Sequence, residues 1–356
     1  MRALRSPSPD PSRCWPRRSA VVPAYPPPAW LANTTSWGGS VLRAPGAAAA
    51  GEYHMYLAEM AGGCGMETWT TNSIIRHAVS SSGPAGPYQP REVIMQPFAH
   101  NPTAIRAPDG TYLIYHIGCG TPVGSRCADC AGGLTSPSCH APGEEVACNG
   151  NTTNILYSKS PDGPWQQLNA PIVKSATMGT PYQIDNPTVT FFPNGSLLLL
   201  GRGGDPAREA GSDGWVTAPS WRGPYQMHTM VGCPKSGAGG CGPASPDVED
   251  PFVWRDKRGN LHALFHKFTD EHPNCGGHAY SSDGKDWTLH NTPAYTTTIT
   301  TADGVGHPFA RRERPHLLFG DDGVTPQMLF TSLTNWSVGH KPPNDKAFTF
   351  AQAIKQ

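Results

Sequence analysis

Short apolar runs alternate with clusters of Gly, Pro, Asn and Asp along most of this chain, and they fall into one repeated pattern. In its clearest copy, Asp247-Val248-Glu249-Asp250-Pro251 opens an apolar strand through Trp254. A turn follows at Gly259-Asn260, and a second apolar strand ends at His266. His100-Asn101-Pro102 leads in the same way to Ala104-Ile105, the turn Asp109-Gly110 and Tyr112-Leu113-Ile114-Tyr115-His116. Asp185-Asn186-Pro187 leads to Val189-Thr190-Phe191, the turn Asn194-Gly195 and a run ending at Arg202. Glu313-Arg314-Pro315 leads to Leu317-Leu318-Phe319, a turn at Asp322-Gly323 and Met328-Leu329-Phe330. A degenerate first copy starts at Trp37-Gly38-Gly39 and resumes, after an Ala-rich turn, between Tyr53 and Glu59. Each copy reads as a β-hairpin, because short β-prone runs are bounded by residues that favour turns.

The second half of each repeat predicts two more strands. A third strand is followed by Gly86-Pro87-Tyr88, Gly163-Pro164-Trp165, Gly223-Pro224-Tyr225 or Asp283-Gly284-Lys285-Asp286-Trp287, and the aromatic opens a fourth strand. These rings are expected to pack between neighbouring units. Anchored at Trp37, Asn101, Asn186, Asp250 and Arg314, the repeats are spaced by 64, 85, 64 and 64 residues. So regular a period marks a repeat architecture. Four short antiparallel strands repeated five times predict an all-β, five-bladed β-propeller of four-stranded blades, spanning residues 31–356. The long second repeat holds an insertion at 119–150 as a decorating loop. The last repeat lacks an aromatic turn. Its outer strand is expected over residues 346–353, or from N-terminal residues that close the ring. Residues 1–30, rich in Pro, Arg and Ser, are expected to form a disordered or loosely attached arm.

Composition narrows the partners. Lys plus Arg and Asp plus Glu are both 27, so net charge gives no reason to expect nucleic acid or an anionic membrane. No apolar run approaches the roughly 18 residues that span a bilayer. A monomer is expected. Ten cysteines, five of them at Cys119, Cys127, Cys130, Cys139 and Cys148, accompany sequons at Asn33, Asn151, Asn194 and Asn335. Together they point to disulfides, to a glycoprotein and to a secreted, oxidising setting. A zinc site built on Cys127-x-x-Cys130 is the weaker reading, because its spacing is not a standard finger. Residues 1–28 lack the apolar core of a signal peptide, so the expectation is that the true start is missing.

Propeller geometry gathers the polar ends of the hairpins at one mouth. First-strand starts bring His100, Asn101, Asp185, Asn186, Glu249, Asp250, Glu313 and Arg314, together with Trp37 in the first copy. Second-strand ends bring Glu59, His116, Arg202 and His266. Strand alternation puts Asp185, Glu249 and Glu313 in one register on three successive blades. Crowded carboxylates shift one another's pKa, and a protonated acid beside an ionised one is what glycosidic cleavage requires. The histidines and arginines are expected to contact sugar hydroxyls or to pair with the acids. No cofactor and no catalytic metal are expected; a structural calcium ion in the channel, or a metal held by His100, His116 and His266, is the weaker reading.

These motifs resemble the five-bladed propeller glycoside hydrolases of families 43, 32, 62 and 68. Val248-Glu249-Asp250-Pro251 is similar to the family motif holding the general acid, which implies that role for Glu249. Ile184-Asp185-Asn186-Pro187 resembles the motif whose Asp orients that acid. Where the family's base or nucleophile Asp would stand, this chain reads His100-Asn101. Three readings follow. Glu313 or another acid supplies the base; or the chain is a family-130-like phosphorylase, with Asp250 as proton donor and arginines on phosphate; or it is an inactive glycan-binding propeller. The resemblance implies a carbohydrate partner of plant or algal type in every case.

Overall fold

The computed structural model describes residues 21–27, 33–44, 51–121, 130, 153–168, 183–204, 214–229, 249–266, 275–290, 292–335 and 345–354. Their strands form five blades arranged as a β-propeller. Blade 1 is β1 (Ser36–Arg43), β2 (Tyr53–Met60), β3 (Ser73–Ser80) and β4 (Gln89–Met95). Blade 2 is β5 (Phe98–Arg106), β6 (Tyr112–Thr121), β7 (Thr153–Ser158) and β8 (Gln166–Gln167). Blade 3 is β9 (Gln183–Phe191), β10 (Leu197–Gly204), β11 (Gly214–Ala218) and β12 (Gln226–Thr229). Blade 4 is β13 (Glu249–Arg255), β14 (Leu261–His266), β15 (Gly276–Ser281) and β16 (Thr288–Leu289). A small hairpin, β17 (Thr298–Thr300) and β18 (Gly306–Pro308), precedes blade 5, which is β19 (Arg311–Phe319), β20 (Pro326–Thr334) and β21 (Ala347–Ala353). The α1 turn (Trp69–Asn72) sits between β2 and β3.

Both expected sources contribute to the outer part of blade 5. Strand β21 pairs with β20, and Tyr25 bridges to Thr349 on its far side. Ala24 N donates to Thr349 O at 2.8 Å, and Thr349 N donates to Tyr25 O at 2.8 Å. Residues 21–27, within the segment expected to be a loose arm, are therefore packed at this end: Ala24 and Tyr25 are buried, and Tyr25 donates its hydroxyl to Glu59 of blade 1. Residues 1–20 and 28–30 of that arm lie outside the described residues, as do 122–129 and 131–150 of the Cys-rich insertion.

The core lies between blades, where apolar faces of neighbouring sheets meet. Leu113, Tyr115 and Ile155 of blade 2 pack on Val189, Leu199 and Val216 of blade 3. Leu198 and Leu200 pack on Val253, Ala263 and Phe265 of blade 4. The aromatic of each turn fills these seams. Trp165 meets Tyr56 edge-on at 5.5 Å, Tyr88 meets Phe330 at 6.3 Å, and Trp287 joins the cluster between blades 3 and 4. The innermost strands lie side by side around the axis. Ala104 N bonds Ser40 Oγ at 2.9 Å, Thr103 Oγ1 donates to Pro187 O at 2.7 Å, and Val253 N donates to Thr188 Oγ1 at 3.0 Å.

One backbone device repeats five times. Gly38, Asn101, Asn186, Asp250 and Arg314 all have left-handed φ, between 51° and 74°. Glycine and Asn or Asp enter that region most easily; for arginine it is an outlier. Pairing of the first two strands skips at the same place in every blade: between Trp37 and Ser40, His100 and Thr103, Glu249 and Phe252, and Glu313 and His316. In blade 3 the skip falls between Leu200 and Arg202, opposite Thr188 and Asp185. This is a β-bulge, and a bulge breaks side-chain alternation. Adjacent residues such as Glu249 and Asp250 consequently both face the mouth, where simple alternation predicts only one of them does.

Candidate active site

The mouth holds a cavity of about 240 Å³, and all five blades reach it through their first strands. Asp185, Glu249 and Glu313 come together there from blades 3, 4 and 5, with Asn101, Asn186 and Asp250. Arg311, which sequence inspection does not single out, also lines it. It stands two residues before Glu313 on β19, hence on the same strand face. Its guanidinium holds Glu313 bidentately, Nε to Oε1 at 2.7 Å and Nη2 to Oε2 at 3.0 Å. Burial opposes the charge of Arg311, but the hydrogen-bonded pair with Glu313 outweighs it and raises the arginine's pKa.

His266 lies directly behind two of the acids. Its Nδ1 is 3.5 Å from Glu249 Oε2, and its Nε2 is 3.4 Å from Glu313 Oε1. Burial pulls its pKa down. The charge of Glu313, the bond to Glu249 and the charge of Asp250 together raise it above the ordinary imidazole value. Asp250 is buried beneath them and pairs with Arg314 Nη1 at 3.3 Å. Burial pushes the Asp250 carboxyl up, with Arg314 opposing and Glu313 reinforcing the shift. The five left-handed residues close the floor: Asn101 donates to Asn186, Arg314 to Asp250, and a Cβ on Gly38 would stand 3.7 Å from Arg314 Nε. Asp250, His266 and Glu313 place donor atoms within 4.8 Å of one another, a set that could hold a cation. Arg314 and Arg311 already balance the two carboxylates of that set.

The opposite wall is aromatic. Trp37, Trp69, Met66 and Ile117 line it with Glu67 and His100. His100 is buried, bonds Ser73 Oγ through Nδ1 at 2.6 Å, and packs against Trp69 at 5.1 Å between ring centroids. Burial, then the charge of Arg314, hold its pKa well below the usual range, so it is neutral. The loop after β2 carries Met66, Glu67 and Trp69 and is fastened from several sides. Lys346 Nζ donates to Gly63 O at 2.6 Å, Met66 N donates to Asp345 O at 3.1 Å, and Cys64 is disulfide-bonded to Cys130. Asp345 comes so close to Gly65 that any Cβ there would collide with it. The bonded Cys130 excludes the zinc reading at that cysteine, while Cys127, Cys139 and Cys148 lie outside the described residues.

Four expected contacts do not line the cavity: His266 and Arg314 are buried behind its acids, and Glu59 and His116 take partners elsewhere. Glu59 is buried and taken up by Arg76, at 2.7 Å, and by the Tyr25 hydroxyl. His116 is buried with Nδ1 3.3 Å from Ile117 O, and burial lowers its pKa to about 4. The pairing register gives the reason for Glu59 and His116. Trp37, His100, Asp185, Glu249 and Glu313 face Ala58, Ile117, Arg202, His266 and Ser332. Glu59 and His116 each stand one residue away from that row, and a one-residue offset turns a side chain to the other face. Arg202 is opposite Asp185 in the backbone pairing, and its side chain lies outside the described residues.

The fold is that of the five-bladed propellers seen in glycoside hydrolases. Among solved structures, the chain is similar to a family 117 glycoside hydrolase produced by the marine bacterium Zobellia galactanivorans, at 14% identity and a TM-score of 0.55, covering 93% of this chain and 87% of that one. It is also similar to an alpha-L-arabinofuranosidase from Lactobacillus brevis, at 13% identity and a TM-score of 0.55, covering 90% and 91%. A third similar structure is an exo-1,5-alpha-L-arabinanase from a bovine ruminal metagenomic library, at 12% identity and a TM-score of 0.50, covering 91% and 95%. No family model and no curated protein sequence matches the chain.

Proposed function

We propose that the mouth is the active site of a glycoside hydrolase acting on a plant- or algal-type oligo- or polysaccharide. The observation that carries this reading is the convergence of Asp185, Glu249 and Glu313, from three successive blades, on one cavity faced by indole rings. Function has to be argued from such a site, since one fold hosts many activities. In this reading Glu249, partly exposed at the strand start, is the proton donor to the leaving oxygen. Glu313, fixed by Arg311, is the opposing carboxylate. It keeps lone pairs free for water, because a carboxylate offers about four acceptor sites. Asp185 orients the donor, and the partly exposed Trp69 receives the apolar face of the sugar, with Trp37 buried under the Arg311 guanidinium.

Hydrolysis is favoured over phosphorolysis because Arg311 and Arg314 are already paired to Glu313 and Asp250. Phosphate would have to displace a carboxylate from either one. A secreted setting is part of the same proposal. It is supported by the Cys64–Cys130 disulfide and by the exposure of the sequon residues Asn33, Asn194 and Asn335.

The test is reducing-sugar release from arabinan, galactan, xylan and fructan oligosaccharides. The Glu249→Gln variant is expected to lose roughly 10²–10⁴-fold in kcat, the usual contribution of a positioned acid, with an unchanged melting temperature. Undiminished turnover in that variant would remove Glu249 from the mechanism. Saturable glycan binding without turnover would make the protein a lectin-like propeller, and turnover that requires phosphate would make it a phosphorylase.

A further inference from the structure

Blade 1 carries a second cluster, well outside the mouth. His54 on β2 and His77 on β3 sit on one sheet face, with His54 opposite Val79 and His77 opposite Tyr56. Both side chains are buried. His54 Nδ1 and His77 Nε2 are 3.0 Å apart. Asp162, in the turn between β7 and β8 of blade 2, places Oδ1 at 3.8 Å from His54 Nδ1. The three atoms lie within 4.8 Å of one another.

We propose that His54, His77 and Asp162 bind one divalent transition-metal ion of the zinc type, joining blade 1 to blade 2. Two imidazoles and a carboxylate form a recognised donor set for such ions, with water at the remaining position. Ring nitrogens 3.0 Å apart are both within reach of one ion at about 2.0–2.1 Å, the usual zinc–nitrogen distance. The outward-facing nitrogens complete the case. His77 Nδ1 is 3.2 Å from Glu92 Oε1, and His54 Nε2 is 3.7 Å from Glu52 Oε2. Glu92 favours the His77 tautomer whose proton points outward, which leaves the His77 Nε2 lone pair facing inward. A carboxylate behind a metal-binding histidine is a usual arrangement at such sites.

Tyr56 stacks on the His77 ring at 5.1 Å and fixes its plane. Arg91 bonds Asp162 at 2.5 Å and Glu52 at 3.5 Å. It is half-exposed, so it can retain Glu52 while Asp162 turns to the ion.

The repeat supplies a control. Blade 4 has the same diagonal pair, with His262 Nδ1 3.1 Å from His278 Nε2. There Asp256 lies on the far side of His262, at Nε2, and Trp254 stacks on the pair at 5.2 and 6.0 Å. Among the described residues no carboxylate completes that pair into a three-donor group.

The experiment uses the full chain, stripped with a chelator, dialysed and titrated with zinc, with calorimetry and thermal melting as readouts. One equivalent is expected to bind and to raise the melting temperature. Asp162→Asn, at an exposed position that leaves the fold intact, and His77→Ala are expected to weaken that binding at least 10-fold. His278→Ala in blade 4 is expected to leave it unchanged. Parent-like binding in Asp162→Asn, loss of the bound equivalent in His278→Ala, or no saturable binding by the parent would each overturn the proposal.

Discussion

Blades 3 to 5 face the cavity with four carboxylates and Arg311, whereas blades 1 and 2 face it with indoles, a neutral imidazole and the single carboxylate of Glu67. The charged side is made from the repeat itself. Arg311 and Glu313 share a face of β19, and Asp250 and Arg314 occupy equivalent bulges of adjoining blades. The aromatic side draws on the loop after β2, held by Cys130, Asp345 and Lys346 from distant parts of the chain. In the proposed reading, chemistry belongs to the strand starts and substrate choice to the loop after β2. Binding determinants commonly sit on loops positioned by a rigid scaffold.

Removing charge from the floor should give the largest effect. Arg314→Met leaves Asp250 buried without its partner and is expected to cost about 3–5 kcal/mol of stability in denaturant melts. Adding Asp250→Asn should recover much of that loss. A cost below about 1 kcal/mol would mean that the pair does not hold the floor.

A smaller effect is expected on the aromatic side. Trp69→Ala should raise KM by roughly 3- to 10-fold on the best substrate with kcat nearly unchanged. That matches about 0.5–1.5 kcal/mol of ring contact, present alike in ground and transition states. An equal fall in kcat and kcat/KM would place Trp69 in the chemistry instead.

The finest test is titration, because the two sides carry histidines shifted in opposite senses. His266 has a raised folded pKa. Its contribution to stability is full below its unfolded value near 6.5 and is lost as pH rises through the folded value. His100 has a depressed pKa, so its contribution is full above about 6.5 and declines as pH falls below it. Melts between pH 5 and 8 should therefore show His266→Gln flattening the alkaline slope and His100→Gln the acid slope. Matching pH profiles in the two variants would erase the contrast between the walls.

The ring of blades was legible because its period survives in the hairpin residues themselves, from Trp37-Gly38 to Arg314-Pro315. The convergence of Asp185, Glu249 and Glu313 followed from the same period. The bulge was less visible. Alternation separates Glu249 from Asp250, and only the left-handed residue turns both inward. Glu59 and His116 were misplaced by one residue, since a hairpin's turn alone does not count out its register when a bulge intervenes. Arg311 could have been found by stepping two residues back from Glu313. Trp69 could not, because it lies outside the repeated hairpin residues and its position depends on contacts with Cys130, Asp345 and Lys346.

The bridge between Tyr25 and Thr349 bears on how the chain is made. A ribosome releases the segment around Tyr25 early and the strand that receives it near the end, at about 5–20 residues per second. Blades 1 to 4 can each pair their own strands as they emerge, while Tyr25, whose hydroxyl meets Glu59 of blade 1, has its backbone partner Thr349 more than three hundred residues downstream. The last seam forms only after synthesis of Ala347–Ala353. Until then the nascent protein is an open arc with an uncovered apolar blade face at either end, the stage at which a holding chaperone has the most to cover.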